Sequence, residues 1–342
     1  MSPTQRSRVV CGLLVAALLA SCASDSASRP TTASSPPEST NAEGADERTI
    51  VVDQLDRPTQ IADGPDGLLL VAQLAGSENE ENGQILAVDV ATGERRVIAD
   101  GLDKPTGVLW ANGTLWVMVR RGLVSAPWNG SEATAGAFTT VLDDLPFNGR
   151  SEGTLTALAD GTFLYATTGS LTNGAATPGS GTLWAFDPAN QSSRAIATGL
   201  KNAYAHVVLD DGRIVTTEIG DSADPPVEEI NVVDPNQPSP DLGWPSCPGD
   251  STCDGVVGPL ATFPAASTPT GVTHIGNDLY VILFVTGQLL RVPLAGWTVG
   301  SEPVAATELV AGLEGPHTVL ARPDGSLWIS EHLAGRIIEI RP

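Results

Sequence analysis

Apolar and polar residues alternate along this chain in short runs, and the runs return as one repeated unit. Six copies are visible. They read PTQIADGPDGLLLVAQ from Pro58, PTGVLWANGTLWVMV from Pro105, EGTLTALADGTFLYATT from Glu152, AYAHVVLDDGRIVTTE from Ala203, PTGVTHIGNDLYVIL from Pro269 and PHTVLARPDGSLWISE from Pro316. Each is an apolar run of strand length, a turn centred on glycine and a second apolar run. The starts lie 47, 47, 51, 66 and 47 residues apart. Strand–turn–strand units at that period predict an all-β chain, a six-bladed β-propeller with one blade per unit.

In the first unit the pattern predicts strands near 58–62, 68–72, 84–90 and 95–99, with Gly67 and Gly93 in turns. A second phrase links one blade to the next: DGLDKP at Asp100, TGLKNA at Thr198 and AGLEGP at Ala311. It also occurs as DQLDRP at Asp53, ahead of the first blade. Residues 49–53 (TIVVD) thus read as a fourth strand with no blade of its own. The last unit supplies only three strands, over 319–321, 327–330 and 336–340. The early strand is predicted to complete the last blade as its outermost member, which leaves no unpaired edge in the ring.

The N-terminus has another character. Arg6 and Arg8 precede an apolar run over residues 9–20, too short to span a membrane and suited to a signal peptide. The run ends in Leu19-Ala20-Ser21-Cys22, which resembles the bacterial lipobox, whose cysteine becomes the lipidated first residue. Cleavage near Ala20 as an ordinary signal peptide is the alternative. The expected organisation is a lipoprotein signal over 1–21, a Ser/Thr/Pro/Ala-rich flexible tether over 22–47 and the propeller over 48–342. The protein is then exported and held on the outer face of the bacterial cell membrane by Cys22. Outside a reducing compartment, the spacing of Cys247 and Cys253 favours a local disulfide over a metal site, since no histidine stands beside them. The net charge of −22 argues against nucleic acid, whose phosphates need a basic surface.

Propellers gather functional groups at one end of the central channel, so equivalent positions of the repeats can be compared. Just before the first strand they are Arg57, Lys104, Ser151, Asn202, Thr268 and Gly315. One or two residues later they are Thr59, Thr106, Gly153, Tyr204, Thr270 and His317. Near the end of the second strand they are Gln73, Val119, Thr167, Glu218, Ile282 and Glu331. A polar set of Arg57, Arg150, Lys201, Asn202, Gln73, Glu218, Glu331 and His317 is expected to converge near one opening, or else to cap strands and loops on a solvated face. Of the four histidines, His206 falls at an apolar strand position and reads as a core residue. His274 reads as polar packing. His317 takes a channel-facing position, and His332 beside Glu331 fits either role.

Residues 198–245 carry the most specific pattern. Gly199-Leu200-Lys201-Asn202-Ala203, Asp211-Gly212, Glu218-Ile219-Gly220, Glu228-Glu229-Ile230-Asn231 and Gly243-Trp244-Pro245 follow one another in an order and spacing that resembles the glucose/sorbosone dehydrogenase family. Those propellers bind pyrroloquinoline quinone with calcium. The resemblance implies that Lys201 and Asn202 contact the quinone, with Gln73 in the same opening. It also implies that the carbonyls of Gly220 and Asp221 hold calcium, with Glu218 nearby. Gly243-Trp244-Pro245 reads as structural. The chain departs from the family where Arg150 occupies the place of the catalytic histidine. A guanidinium stays protonated and cannot accept a hydroxyl proton. Either another group such as His317 or Glu218 serves as base, or the oxidation has been lost. Three functions follow: a quinone-dependent dehydrogenase of a small-molecule carbohydrate, a non-catalytic propeller binding a carbohydrate or protein partner, and a calcium-dependent lactonase.

Overall fold

The computed structural model describes residues 48–147, 152–169, 178–220, 227–249 and 253–342. They form six four-stranded antiparallel sheets, each with strands in sequential order from the channel outward except the last. Blade 1 contains Pro58–Asp63, Leu69–Gln73, Gly83–Val88 and Arg95–Leu102. Blade 2 contains Gly107–Ala111, Thr114–Val119, Gly122–Pro127 and Thr139–Leu142. Blade 3 contains Thr156–Ala157, Phe163–Thr167, Thr182–Asp187 and Ser192–Ala197. Blade 4 contains His206–Val208, Ile214–Glu218, Glu228–Val233 and Ala261–Phe263. Blade 5 contains Pro269–Ile275, Asp278–Leu283, Gln288–Pro293 and Thr307–Val310. Blade 6 contains Pro316–Ala321, Leu327–Glu331 and Arg336–Ile340, and its fourth strand is Thr49–Val52. The six-bladed architecture and its closure are those the repeats predict. Thr49 pairs with Glu339 and Ile50 with Ile338 in the closing register.

The core lies between blades rather than at a common centre. Six clusters of buried apolar side chains fill the six interfaces. Leu70 and Ile85 of blade 1 meet Val108 and Leu115 of blade 2, and Ile282 of blade 5 meets Ile329 and Ile338 of blade 6. Val52 of the closing strand packs with Val71 and Val88 of blade 1, so closure buries apolar surface on both sides of the seam. Each fully buried Leu, Ile or Val contributes about 1.5–3 kcal/mol, and the alternation of the repeats places one on nearly every inward position.

The 66-residue spacing in blade 4 has a physical source. Between its third and fourth strands the chain makes an excursion tied down by parallel bridges of Asp241 to Thr198 and Val256. It also carries the Cys247–Cys253 disulfide, Cα atoms 6.5 Å apart. Trp244 is buried and lies on Gly169, where a Cβ would stand 2.8 Å from the indole ring, so only glycine admits this contact.

Side-chain hydrogen bonds join the blades around the axis. Thr59 Oγ1 donates to the Pro105 carbonyl (2.9 Å), Thr106 to Gly153 (3.0 Å), Thr270 to Pro316 (3.1 Å) and Thr318 to Thr59 (3.0 Å). Gln60 crosses between blades. Its Nε2 donates to the Leu155 carbonyl (2.9 Å), and its Oε1 accepts from Val108 N (2.7 Å) and Leu155 N (3.0 Å).

Candidate functional site

At the end where each blade begins, the first strands of blades 1, 5 and 6 open with a bulge. The register shifts between Pro58 and Ile61, Pro269 and Gly271, and Pro316 and Thr318. A bulge adds an unpaired residue and re-aims its side chain. Thr59, Thr270 and His317 are turned in this way toward a cavity of about 160 Å³. Glu78, Lys104, Thr106, Asn202, Tyr204, Thr268 and His332 also line it, with Leu74, Ile219 and Phe284 as apolar walls.

The second-strand positions take a different part. Gln73 Oε1 accepts the Asp56 N–H (3.0 Å), and Glu331 Oε1 accepts that of Glu314 (2.7 Å). Glu218 accepts the N–H groups of Lys201 and Asn202, the latter at 3.1 Å. In these three blades a buried side chain ending the second strand satisfies the loop that leads into the first. Gln73, Glu218 and Glu331 are therefore bonded to their own loops and do not line the cavity, whereas the next residue along, Leu74, Ile219 or His332, does. Lys201 is fully buried beside Glu218 and is not among the lining residues, whereas Asn202 is. Gly220 presses against Val227, where a Cβ would come 1.8 Å from a carbonyl oxygen; close backbone approach alone requires glycine there. Arg57 is turned outward to the Gly76 carbonyl (2.8 Å). Arg150, Asp221 and Cys22 lie outside the described residues.

Two imidazoles give the cavity its chemistry. His317 and His332 stack with centroids 5.3 Å apart and rings 25° from parallel, and Phe284 meets both edge-on at 5.8 Å. His332 Nδ1 stands 3.1 Å from the Pro58 carbonyl. A carbonyl only accepts, so Nδ1 carries the proton and Nε2 of the neutral ring keeps its lone pair. His317 Nε2 is 3.2 Å from the Tyr204 hydroxyl, while its buried Nδ1 has no hydrogen-bond partner among the described residues. Burial is the largest cause holding both rings below the usual imidazole range, His317 well below it. Across the cavity Lys104 Nζ bonds Glu78 at 2.8 Å, and that bond lowers the Glu78 pKa.

Sequence comparison by position finds His317, Asn202 and Thr59 but undervalues Lys104, although Lys104 stands at the Arg57 and Asn202 place of its repeat. Glu78 lies in the loop over 74–82 between the second and third strands of blade 1, outside the apolar repeat, so no periodic signal marks it.

No family model matches the chain, and no curated protein matches it. Solved structures do. The pyrroloquinoline-quinone-bound form of aldose sugar dehydrogenase from Streptomyces coelicolor superposes with a TM-score of 0.72 at 18% identity, covering 86% of this chain and 98% of that one. The holo form of the pyranose dehydrogenase quinone domain from Coprinopsis cinerea gives 0.70 at 17% identity, covering 90% and 98%. A gluconolactonase candidate gives 0.52 at 12% identity, covering 87% and 92%. At these identities the likeness establishes the shared fold.

Proposed function

We propose that this propeller is a sugar-dehydrogenase-type oxidoreductase that takes a small carbohydrate at the His317–His332 cavity. The observation that carries the reading is the pair of neutral, oriented imidazoles in a polar cavity at the blade-leading end of the channel. An unprotonated ring nitrogen can accept the proton of a sugar hydroxyl, and a base works best when its pKa lies near the working pH. His332 meets both conditions better than His317, because its lone-pair nitrogen is fixed by the Pro58 carbonyl and its pKa is lowered less severely. His317 and Tyr204 then hydrogen-bond the bound sugar or steady the ring. This supplies a base from blade 6 in place of the blade-3 position occupied by Arg150.

The residues present fit the quinone better than the calcium. Lys104, Asn202 and Tyr204 offer donors around the cavity to a ligand bearing carboxylates and carbonyls. When bound, pyrroloquinoline quinone would supply the hydride acceptor. Calcium finds less support: Glu218 already accepts two backbone N–H groups, and burial and the neighbouring Glu229 raise its pKa well above the ordinary range. Among the described residues no cluster of three His, Cys, Asp or Glu could hold a metal ion.

The test is to add the quinone to the purified full chain, with and without calcium, and to follow quinone absorbance and dye reduction with aldoses. Sugar-dependent dye reduction is expected, with His332→Asn lowering kcat by about 10²–10⁴-fold while the quinone absorbance change is retained. An unchanged quinone spectrum and no dye reduction would overturn the proposal; sugar binding without reduction would mark a binding propeller.

We propose in addition that Cys22 carries the lipid anchor, a reading supported by the Leu19–Cys22 tetrapeptide behind its apolar run. Cys22→Ala should move the protein from the membrane fraction to the soluble exported fraction. Continued membrane retention would overturn it.

A further inference from the structure

The channel has a second mouth. Beyond Gln60 and the threonine bonds lies a cavity of about 430 Å³, lined by the far ends of the first strands. Gln60 has both amide atoms bonded. The lining is mainly apolar, with Ile61, Leu109, Trp110, Val207, Val319 and Leu320 among it. A concave, mainly apolar space of this size with a few convergent polar groups is the usual form of a small-molecule site.

One polar group in it is incompletely bonded. His206 lines the cavity and is 4% exposed. The Thr156 hydroxyl donates to the His206 carbonyl at 2.9 Å, and the same oxygen lies 3.0 Å from His206 Nδ1. Its hydrogen is committed to the carbonyl, so it accepts from Nδ1–H. The ring is neutral, since burial pushes its pKa down to about 3. A neutral imidazole has a single N–H, which leaves Nε2 as an acceptor. Nε2 is buried and has no partner among the described residues. A buried acceptor left unbonded is costly, and a ligand donor would relieve that cost. Charge at the rim is already matched, with Arg322 bonded to Asp63 at 2.7 Å.

We propose that this lower cavity is a second binding site, for a small uncharged molecule with an apolar body and one O–H or N–H donor directed at His206 Nε2. It is distinct from the histidine cavity, and nothing in it depends on the dehydrogenase reading.

Benzyl alcohol and toluene serve as probes, titrated into the full chain while tryptophan fluorescence is read. Saturable quenching by benzyl alcohol is expected, at least tenfold tighter than by toluene, and Trp110→Phe should remove most of the signal. Ala157 lies exposed among the lining residues, so Ala157→Trp should occlude the space. The expected result is at least a tenfold loss of benzyl alcohol affinity with an unchanged melting temperature. Should that variant fail to fold, Leu320→Trp replaces it. Absence of saturable quenching, or binding indifferent to the occluding variant, overturns the site. Equal affinity for alcohol and hydrocarbon overturns the role of His206.

Discussion

Glu229 faces Glu218 across adjacent strands of blade 4, and Glu152 stands ahead of blade 3; all three carboxyls are buried. Burial raises the pKa of Glu152 and of Glu229 from 4.5 to about 8. Each therefore holds a proton in the folded state that it lacks when unfolded between those values. The sign follows: the stability they contribute is complete below about pH 4.5 and is lost as pH rises through about 8, with a slope of at most about 1.4 kcal/mol per pH unit per group. His206 acts in the opposite direction, its stability lost as pH falls from 6.5 through about 3. Glu229→Gln imitates the protonated carboxyl and is expected to raise the denaturation midpoint at pH 8 and to match the unsubstituted protein near pH 4.5. A midpoint difference independent of pH would contradict this. The capping side chains give a second expectation. Gln73→Ala leaves the Asp56 N–H without its partner and should cost about 1–2 kcal/mol in urea unfolding; an unchanged midpoint would deny the cap. At this scale the sequence is only half legible. Repeat alignment shows that positions 73, 218 and 331 are equivalent and polar, but a strand reverses its side chains at each residue. Whether a carboxyl faces the cavity or its own loop is decided by backbone N–H groups that carry no signal in the side-chain pattern.

Blade elements were far easier to read. Apolar alternation around Gly67 and Gly212 has a single periodic interpretation, and Arg95–Leu102 and Arg336–Ile340 fall close to their expected places. Harder to see were the strands of blade 3 and blade 4 nearest the axis, Thr156–Ala157 and His206–Val208, which are much shorter than Pro58–Asp63. There the chain meets its neighbour through Gly153, whose missing Cβ leaves room for the Tyr204 carbonyl; a Cβ would stand 2.1 Å from it. The bulges that present Thr59, Thr270 and His317 were equally silent, because one extra residue does not disturb a hydrophobic repeat. The threonine bonds join blade to blade at this level. Thr106→Val keeps the shape and removes the donor to Gly153, leaving that carbonyl unpaired by this hydroxyl. A loss of about 1–2 kcal/mol is expected in chemical denaturation, and an unchanged midpoint would deny the bond between blades.

For the molecule as a whole, the seam of blade 6 governs integrity. Thr49–Val52 supplies the outer strand and Val52 and Leu55 fill the interface with blade 1. Removing residues 48–54 would expose the edge of Arg336–Ile340 and open an apolar face. Early melting and self-association are expected, seen as a lowered thermal midpoint and larger species in light scattering. An intact, monomeric truncated ring would refute this role of the seam.

The same seam sets an order of events during synthesis. The segment that shuts the ring leaves the ribosome among the first of the described residues, but the strand that receives it, around Ile338, emerges among the last. Until then the sixth sheet is unfinished and the nascent polypeptide carries a sticky margin at either end. Those two margins have to be kept apart from other chains in the meantime, and zippering them together is the step that commits the polypeptide to its final form.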